Sequence, residues 1–396
     1  MQRLSIMLFL LAGFILTACH APLDKRAYNI AQQIIIADTH IDLPYQLDKH
    51  WEDLSIQTSG NFDFPRANRG GLNIAFMAIY ISAETAAENN NSARADTLID
   101  LVYKIQSEWP EYCAVLTDVS EVQNHFKAGK ISLAMGMENG SGLDGDLANI
   151  SYFYNRGIRY ITLAHSKSNR ICDSSYDPER KWNGLSPFGR QVIAEMNRIG
   201  MMIDISHVTD STFYQVLRLT QAPVIASHSS CRFFTPGYER NISDSMLKLL
   251  AESGGVIQIN FGSSFINDVY RKNYEPLWTY LEENNMKWGD SATTAYVEQF
   301  SRDHPVAFAD VSEVADHIDH VVNLVGIDHV GLGSDFDGLG DSLPSGLKDV
   351  SMYPNLLKIL LERGYTEEEI KKICSGNLLR VWQQVERAAK DLQRSS

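Results

Sequence analysis

The chain has 396 residues, 44% of them apolar, which is enough to bury a large core as one large domain or two smaller ones. Its formal net charge is −14 and no basic tract offsets it, which argues against nucleic acid as a partner. The composition is that of an ordinary globular protein and excludes a disordered or fibrous chain.

The N-terminal segment has the pattern of a bacterial export signal. Arg3 supplies a positive charge, residues 8–16 form an apolar run that is short for a membrane-spanning helix, and Thr-Ala-Cys follows. Small residues directly before a cysteine resemble a bacterial lipobox, in which Cys19 becomes the lipidated first residue of the mature protein. We therefore predict a signal peptide over residues 1–18, a lipid on Cys19, and a linker over residues 19–33.

This processing predicts an exported protein that is held at the membrane by its N-terminal lipid. His20, rather than an aspartate, follows Cys19, which favours the periplasmic face of the outer membrane in a cell with two membranes. No C-x-x-C pair is present, so a cysteine zinc site is not expected. Export would allow one or two disulfides, but the sequence leaves the pairing open. The four remaining cysteines are Cys113, Cys172, Cys231 and Cys374.

From residue 34 onward, apolar segments of strand length alternate with segments of helical periodicity. The predicted strands are one beginning at residue 34, followed by 72–80, 131–137, 158–164, 201–205, 223–227, 256–260 and 329–334. The predicted helices are 93–109, 119–128, 147–155, 187–199, 209–220, one capped by Ser243, 311–325 and 366–393. Residues 261–310 break the alternation and are predicted to form an insertion.

Eight strands alternating with helices predict a (β/α)8 barrel, with residues 34–396 as one catalytic domain that ends in a helix. The alternative is an open, doubly wound sheet. Such a sheet would have a glycine-rich phosphate turn after its first strand, and the sequence has His40-Ile41-Asp42 there. The barrel is therefore the favoured fold.

Six of the eight predicted strands end in side chains that can bind a metal. Alternate side chains of an extended segment face the same way, so His40 and Asp42 point into one space. In a barrel the carboxyl ends of all strands open onto one face, where these groups would converge. The set is His40, Asp42, Glu138, His165, His207, His228 and Asp335.

This set is too large for one catalytic zinc ion, which usually takes three protein ligands. Two metal ions that share one carboxylate would instead use most of these residues as ligands. The first would bind His40, Asp42 and one oxygen of Glu138, and the second would bind the other Glu138 oxygen, His207 and His228. A hydroxide between the two metals would be a nucleophile at neutral pH.

Two members of the set then remain for the other steps of a hydrolysis. Asp335 could take the proton of the nucleophile and pass it to the leaving group. His165 could stabilise the oxyanion that forms on the attacked carbonyl group.

Several segments resemble the motifs of the renal, or membrane, dipeptidases, which are binuclear zinc peptidases of the amidohydrolase-like superfamily. These segments are 38–44, 159–165, 200–207, 227–229, 240–241 and 333–338. The resemblance implies two zinc ions bound by His40, Asp42, Glu138, His207 and His228, with Glu138 as the bridge. It also implies substrate contact by His165 and Arg240, and proton transfer by Asp335.

The resemblance predicts an enzyme that hydrolyses small dipeptides with a free C-terminal carboxylate, for which the Arg240 guanidinium is a suitable partner. Two alternatives stay open. The same metal pair would serve another amidohydrolase acting on N-acyl amino acids, lactams or lactones. A lipoprotein that binds peptide or zinc without turnover would leave Asp335 and His165 without a role. Side-chain preference, L or D preference and the choice between monomer and homodimer are not determined by the sequence.

Two positions depart from the mammalian members of the family. Gly262 stands where they carry a tyrosine in the substrate pocket, and Lys167 stands where they carry a cysteine. The shape of the pocket and the disulfide pattern of those relatives are therefore not expected here.

Overall fold

The computed structural model describes residues 23–83, 90–284, 286 and 290–395. Parallel strands rich in β-branched and apolar residues are buried on both faces, as expected when helices surround a barrel. The strands are β1 Ile36–Ile41, β2 Leu72–Tyr80, β3 Cys113–Val115, β4 Ile131–Glu138, β5 Ile158–Thr162, β6 Met202–Asp204, β7 Ile225–Ser229, β8 Val256–Ile259 and β9 Val330–Leu332.

Eight of these strands follow one another in a parallel sheet, in the order β1, β2, β4, β5, β6, β7, β8 and β9. The two ends of the sheet meet through backbone hydrogen bonds, 2.8 Å from Asp42 N to Phe336 O and 3.1 Å from Asp335 N to His40 O. The predicted (β/α)8 barrel is confirmed, and the open sheet is wrong because this closure joins β1 to the segment after β9.

Strand β3 was not predicted. It pairs with the first half of β4, with Cys113 opposite Ile131, while β5 pairs with the second half of β4. Three residues are too few to show the alternation by which a strand is recognised in a sequence.

The described helices surround the barrel and occupy its two ends. They are α1 Leu23–Ala31, α2 Leu43–Lys49, α3 Phe64–Gly70, α4 Asn91–Glu108, α5 Val122–Lys127, α6 Ala148–Asn155, α7 Pro187–Ile199, α8 Asp210–Leu219, α9 Asp244–Glu252, α10 Ser263–Ile266, α11 Asp268–Glu283, α12 Ser291–Asp303, α13 Val311–Val325, α14 Tyr353–Glu362, α15 Glu367–Lys371 and α16 Asn377–Ser395. None of them is long and apolar enough to cross a membrane.

Local sequence sets several helix boundaries. The Ser186 hydroxyl accepts a hydrogen bond from Gly189 N at 2.8 Å at the start of α7, and Gly200 ends this helix with a φ of 90°. Thr366 and Glu369 form the predicted capping box of α15. The single C-terminal helix predicted over 366–393 is instead two helices, because a π-helical turn at Lys372–Gly376 separates α15 from α16.

The interior of the barrel is filled at the end opposite the carboxyl ends of the strands. Phe76 and Tyr160 stack with ring centroids 5.5 Å apart, and Trp382 of α16 lies 5.6 Å from Phe76. All three side chains are completely buried. Helix α16 thus closes one end of the barrel, which leaves the other end for the polar side chains.

The predicted linker over residues 19–33 contains a helix in its described part. Helix α1 buries Ala27, Ile30 and Ala31, which recur at helical spacing, and it packs against α14. The predicted signal peptide, Cys19 and His20 lie outside the described residues. The four cysteines that the sequence left unpaired are all free and buried.

The predicted insertion over 261–310 supplies helices α10, α11 and α12. Helices α11 and α12 share a small apolar cluster that includes Tyr270, Tyr274 and Phe300. Asn267 Nδ2 donates to Glu313 Oε1 at 2.5 Å, which joins the start of α11 to α13 of the barrel. The insertion therefore has its own small core beside the main one.

Candidate metal centre

The seven histidines and carboxylates predicted to cluster all lie at the carboxyl ends of the barrel strands. His40 and His228 belong to β1 and β7, Glu138 ends β4, and the others follow β1, β5, β6 and β9. His207 and Asp335 adopt positive φ values of 67° and 65°, which turn the chain sharply just after a strand. The residues brought together are His40, Asp42, Glu138, His165, His207, His228 and Asp335.

Glu138 lies at the centre of this cluster. Its Oε2 is 3.5 Å from His40 Nε2. Its Oε1 is 3.1 Å from His207 Nε2 and 3.3 Å from His228 Nε2. The two carboxylate oxygens therefore face two different sets of imidazole nitrogens, which is the geometry expected of a bridging ligand.

The donor atoms suit divalent cations. His40 Nε2 is buried without a hydrogen-bond partner among the described residues, and it lies 3.5 Å from Asp42 Oδ2 as well as from Glu138. Three overlapping groups have all their donor atoms within 4.8 Å of one another. They are His40, Glu138 and His228; Glu138, His165 and His207; and His40, Asp42 and Asp335. Imidazole and carboxylate donors in this number fit a zinc-type site.

The ionisation of Glu138, His207 and His228 favours metal binding. Burial and the nearby Arg240 guanidinium hold the pKa of His207 well below its usual range, so its ring is neutral and offers a lone pair. Burial also holds the pKa of His228 well below the usual range, with His40 acting in the same direction. Although burial opposes it, attraction to His40 and His165 holds the pKa of Glu138 well below its usual range.

His165 differs from the other histidines of the cluster in its exposure. Its side chain is 20% exposed, whereas the side chains of His40, His207 and His228 are 0%, 6% and 1% exposed. Its Nε2 lies 3.6 Å from Glu138 Oε1. His165 therefore borders both the cluster and the opening of the site.

Asp335 has a distinct environment. Its Oδ2 accepts a hydrogen bond from Asn260 Nδ2 at 2.8 Å. Burial raises its pKa to about 7, and the neighbouring carboxylates of Asp42 and Glu138 act in the same direction. A carboxyl group with such a pKa can take up and release a proton near neutral pH.

Arg240 is a buried cation at the edge of the cluster, with a side chain from the loop between β7 and α9. One of its Nη atoms donates to Ser229 Oγ at 2.7 Å, and the other donates to the His228 carbonyl at 2.8 Å and lies 3.0 Å from His207 Nε2. Its Nε is buried without a partner among the described residues. Arg240 thus presents a fixed positive charge beside the histidines.

Gly338 is a residue that sequence reasoning did not single out. A Cβ atom at this position would lie 2.3 Å from Asp42 Oδ2 and 2.4 Å from Asp335 Oδ1. Only glycine allows the backbone to pass this close to both carboxylates. Its occurrence in the 333–338 motif was the available signal.

Tyr176 was also missed, because it lies in a long loop without periodicity. Its ring centroid is 5.8 Å from that of His207, and its hydroxyl group is 2.8 Å from that of Tyr238. This pair connects the loop after β5 to the loop after β7 at the opening of the site. Asn260 was missed as well. Its side-chain amide donates the hydrogen bond to Asp335 Oδ2.

The two departures from the mammalian relatives have structural counterparts. A Cβ atom on Gly262 would lie 2.7 Å from Leu339 and 2.8 Å from Phe265, so these side chains occupy the adjacent space. Lys167 Nζ lies 2.9 Å from Glu282 Oε1 of α11, an exposed ion pair that joins the loop after β5 to the insertion.

Comparisons with known proteins agree with this geometry. The family model for membrane dipeptidases (Peptidase family M19) matches residues 24–396. The chain is 34% identical over 343 residues to dipeptidase aclJ of Aspergillus oryzae, covering 84% of this chain and 72% of the relative.

Two solved structures are similar to this fold over most of the chain. The probable dipeptidase PvdM from Pseudomonas aeruginosa superposes with a TM-score of 0.80 at 26% identity, covering 93% of this chain and 99% of that one. A metallopeptidase from Rhodobacter sphaeroides, solved with a phosphinate mimic of the dipeptide L-Ala-D-Ala, superposes with a TM-score of 0.72 at 25% identity. That match covers 89% of this chain and 99% of the relative.

Proposed function

Since the chain belongs to the membrane dipeptidase family of metallopeptidases, we propose that it is a two-zinc enzyme that cleaves dipeptides with a free C-terminal carboxylate. The observation that carries the proposal is the position of Arg240. This buried guanidinium lies beside the histidine and carboxylate cluster, and its Nε has no partner in the described chain. A buried cation without a counterion favours an anionic ligand.

The chain offers two ligand sets that share Glu138. His40, Asp42 and Glu138 Oε2 would hold one zinc ion, and Glu138 Oε1, His207 and His228 would hold the other. When bound, the metal ions would lower the pKa of water and so supply a nucleophile at neutral pH. The support for zinc is the mixture of imidazole and carboxylate donors.

Two residues of the chain would handle the proton and the developing charge. Asp335, held through Oδ2 by Asn260, would take the proton of the nucleophile and deliver it to the leaving amine. His165, the most exposed histidine of the cluster, would face the substrate carbonyl and stabilise its oxyanion.

Arg240 would bind the C-terminal carboxylate of the substrate and so set its length. The guanidinium is fixed by Ser229 Oγ and the His228 carbonyl, which leaves little freedom to follow a longer peptide. The phosphinate dipeptide mimic bound by the Rhodobacter sphaeroides relative supports a substrate of this size.

We also propose that the mature protein is exported and lipid-anchored through Cys19 at the periplasmic face of the outer membrane. The support is the lipobox-like sequence before Cys19 and the histidine that follows it.

A substrate and metal comparison tests the proposed reaction. Purified protein would be assayed with L-Ala-L-Ala, L-Ala-D-Ala, the amide of L-Ala-L-Ala and N-acetyl-L-alanine, each with and without chelator. We expect turnover of at least one free dipeptide, weak turnover of the amide, and loss of activity with chelator that added zinc restores. Turnover of N-acetyl-L-alanine alone would favour the amidohydrolase alternative. Bound metal without any turnover would favour a binding protein.

A further inference from the structure

Two histidines of the cluster have their second ring nitrogen bound to a hydroxyl group. His40 Nδ1 lies 2.9 Å from the Tyr160 hydroxyl oxygen, and His228 Nδ1 lies 2.7 Å from Ser227 Oγ. Each hydroxyl group has one proton, so the partner that receives it decides which tautomer the histidine adopts.

The hydroxyl proton of Tyr160 is donated to a backbone carbonyl group. The hydroxyl group donates to the Thr39 carbonyl oxygen at 3.0 Å, and a carbonyl oxygen can only accept. The Tyr160 oxygen must then accept the hydrogen bond from His40 Nδ1–H. In the neutral ring that binds a metal, this arrangement leaves His40 Nε2 without a proton, directed at the carboxylates of Asp42 and Glu138.

The hydroxyl proton of Ser227 is donated to a carboxylate. Ser227 Oγ donates to Asp204 Oδ2 at 2.6 Å, and the other Asp204 oxygen accepts from Ser206 N at 3.0 Å and Ser227 N at 2.8 Å. An ionised carboxylate only accepts, so the serine oxygen must accept from His228 Nδ1–H. His228 Nε2 is thereby left as a lone pair, 3.3 Å from Glu138 Oε1 and 2.8 Å from His207 Nε2.

The barrel interior makes room for the tyrosine. Tyr160 is completely buried and reaches from β5 to the end of β1. A Cβ atom on Gly136 of β4 would lie 1.9 Å from Cζ of this ring, so only glycine at position 136 accommodates it. Both Tyr160 and Asp204 belong to the family-like segments 159–165 and 200–207, in which neither had been given a role.

We propose that Tyr160 and the Ser227–Asp204 pair are positioning residues that hold His40 and His228 in the Nδ1–H tautomer, with the Nε2 lone pairs directed into the cluster. The inference rests on the proposed metal centre. Because a ring that must first change tautomer or orientation binds a metal less well, losing either hydroxyl group lowers zinc affinity.

The first test measures zinc affinity rather than activity. Wild type, Tyr160→Phe and Ser227→Ala would be titrated with Zn²⁺ in competition with a chromophoric chelator. Each variant is expected to bind zinc roughly 10- to 100-fold more weakly. Ser227→Thr, which keeps the hydroxyl group, is expected to recover most of the lost affinity. Equal affinity in wild type and both variants would overturn the proposal.

Matched controls separate the hydrogen bond to histidine from the loss of a buried hydroxyl group. Tyr103 is partly buried, and its hydroxyl group donates to the Arg156 carbonyl at 3.1 Å. Ser230 is as fully buried as Ser227, and its Oγ donates to the Asn260 carbonyl at 3.1 Å. Tyr103→Phe and Ser230→Ala are expected to keep wild-type zinc affinity. An equal loss of affinity in these controls would overturn the positioning role.

The second test reads the tautomers directly, first in the wild-type protein and then in the two variants. In wild-type protein with ¹⁵N-labelled histidine and bound Zn²⁺, NMR is expected to show that His40 and His228 each have an Nδ1–H group protected from exchange. This protection should be lost at His40 in Tyr160→Phe and at His228 in Ser227→Ala. Wild-type rings protonated at Nε2 would overturn the proposal. Wild-type protein that binds no zinc would instead contradict the proposed function, so the two failures are distinguishable.

Discussion

At the scale of single residues, the side chains of the site are held in place by contacts with their neighbours. Glu138 faces histidines through both oxygens, Arg240 is fixed by Ser229 and a carbonyl group, and Asp335 is held by Asn260. Fixed donors and acceptors of this kind lower the reorganisation that a reaction requires. Each residue can therefore be tested by a substitution that keeps its shape.

Replacing the Glu138 carboxylate by a neutral amide tests whether this residue bridges two metal ions. In Glu138→Gln, one carboxylate oxygen becomes an amide nitrogen, which cannot bind a cation, so affinity for both zinc ions should fall. Metal analysis after dialysis should show about two zinc ions per chain in wild type and clearly fewer in the variant. Glu282→Gln, an exposed change of the same type, should retain both ions. Two tightly held ions in Glu138→Gln would contradict the bridging role.

Asp335→Asn tests proton transfer separately from folding. The amide keeps the shape of the side chain and can still accept from Asn260, but it cannot take a proton. We expect kcat to fall by about 100-fold or more while the zinc content stays at the wild-type value. Asp337→Asn is the control, because Asp337 is also buried, has a φ of 66° and binds Asn61 N outside the cluster. Near-normal turnover in Asp335→Asn would assign the proton to another group.

The carboxylate contact of Arg240 can be measured by changing both partners. In wild type, amidation of the dipeptide C-terminus should lower kcat/KM by roughly 100-fold, equivalent to about 3 kcal/mol. In Arg240→Met, cleavage of the free dipeptide should fall much more than cleavage of the amide, so the preference between the two substrates should collapse. An equal loss for acid and amide would mean that the walls of the pocket set the length.

At the scale of secondary-structure elements, α16 and the insertion have different relations to the barrel. Helix α16 inserts Trp382 among residues that fill the barrel interior, next to Phe76. The insertion has its own cluster around α11 and α12 and meets the loop after β5 through the exposed Lys167–Glu282 pair. An exposed ion pair contributes about 1 kcal/mol or less, so α16 should matter far more for stability than this contact.

Trp382→Ala tests the contribution of α16. The completely buried indole would be replaced by a cavity at the closed end of the barrel, which should lower the free energy of unfolding by about 3–5 kcal/mol. Urea unfolding followed by circular dichroism measures this change. Trp278→Ala on α11 removes an indole that is 41% exposed and should cost clearly less. Equal costs would mean that α16 is not part of the cooperative core.

At the scale of the whole molecule, the barrel collects residues from distant parts of the chain onto one face. Closure occurs where Asp42 and Asp335, separated by almost 300 residues in the sequence, exchange backbone hydrogen bonds with Phe336 and His40. The same contact that closes the fold therefore assembles two of the candidate site residues. Metal binding and barrel stability should be linked for this reason.

Cys19→Ser tests the proposed location of the whole protein. Without the thiol no lipid can be attached, and the protein should move from the membrane fraction to the soluble fraction of lysed cells. The bacterial modification supplies several acyl chains, which anchor far more firmly than one. A change of His20 to Asp is the matched comparison: it should keep the lipid but alter the choice of membrane. Unchanged membrane association of Cys19→Ser would require another anchor.

The sequence by itself determined the repeating architecture and the residues that cluster. Apolar segments with β-branched residues alternate with capped helices, and both signals are local, so the barrel and boundaries such as Ser186 and Gly200 could be predicted. The histidines and carboxylates at strand ends could be grouped because all parallel strands of a barrel end on one face.

Only the tertiary structure decided how these residues are supported. Tyr160 reaches His40 across the barrel because Gly136 of a neighbouring strand leaves room for its ring. Likewise, position 338 must be glycine because Asp42 and Asp335, from opposite ends of the chain, leave no room for a Cβ atom there. The sequence also could not predict strand β3, the π-helical interruption before α16 or the burial of Arg240. Such features depend on contacts between residues far apart in the chain, and a local pattern contains no information about the distance between them.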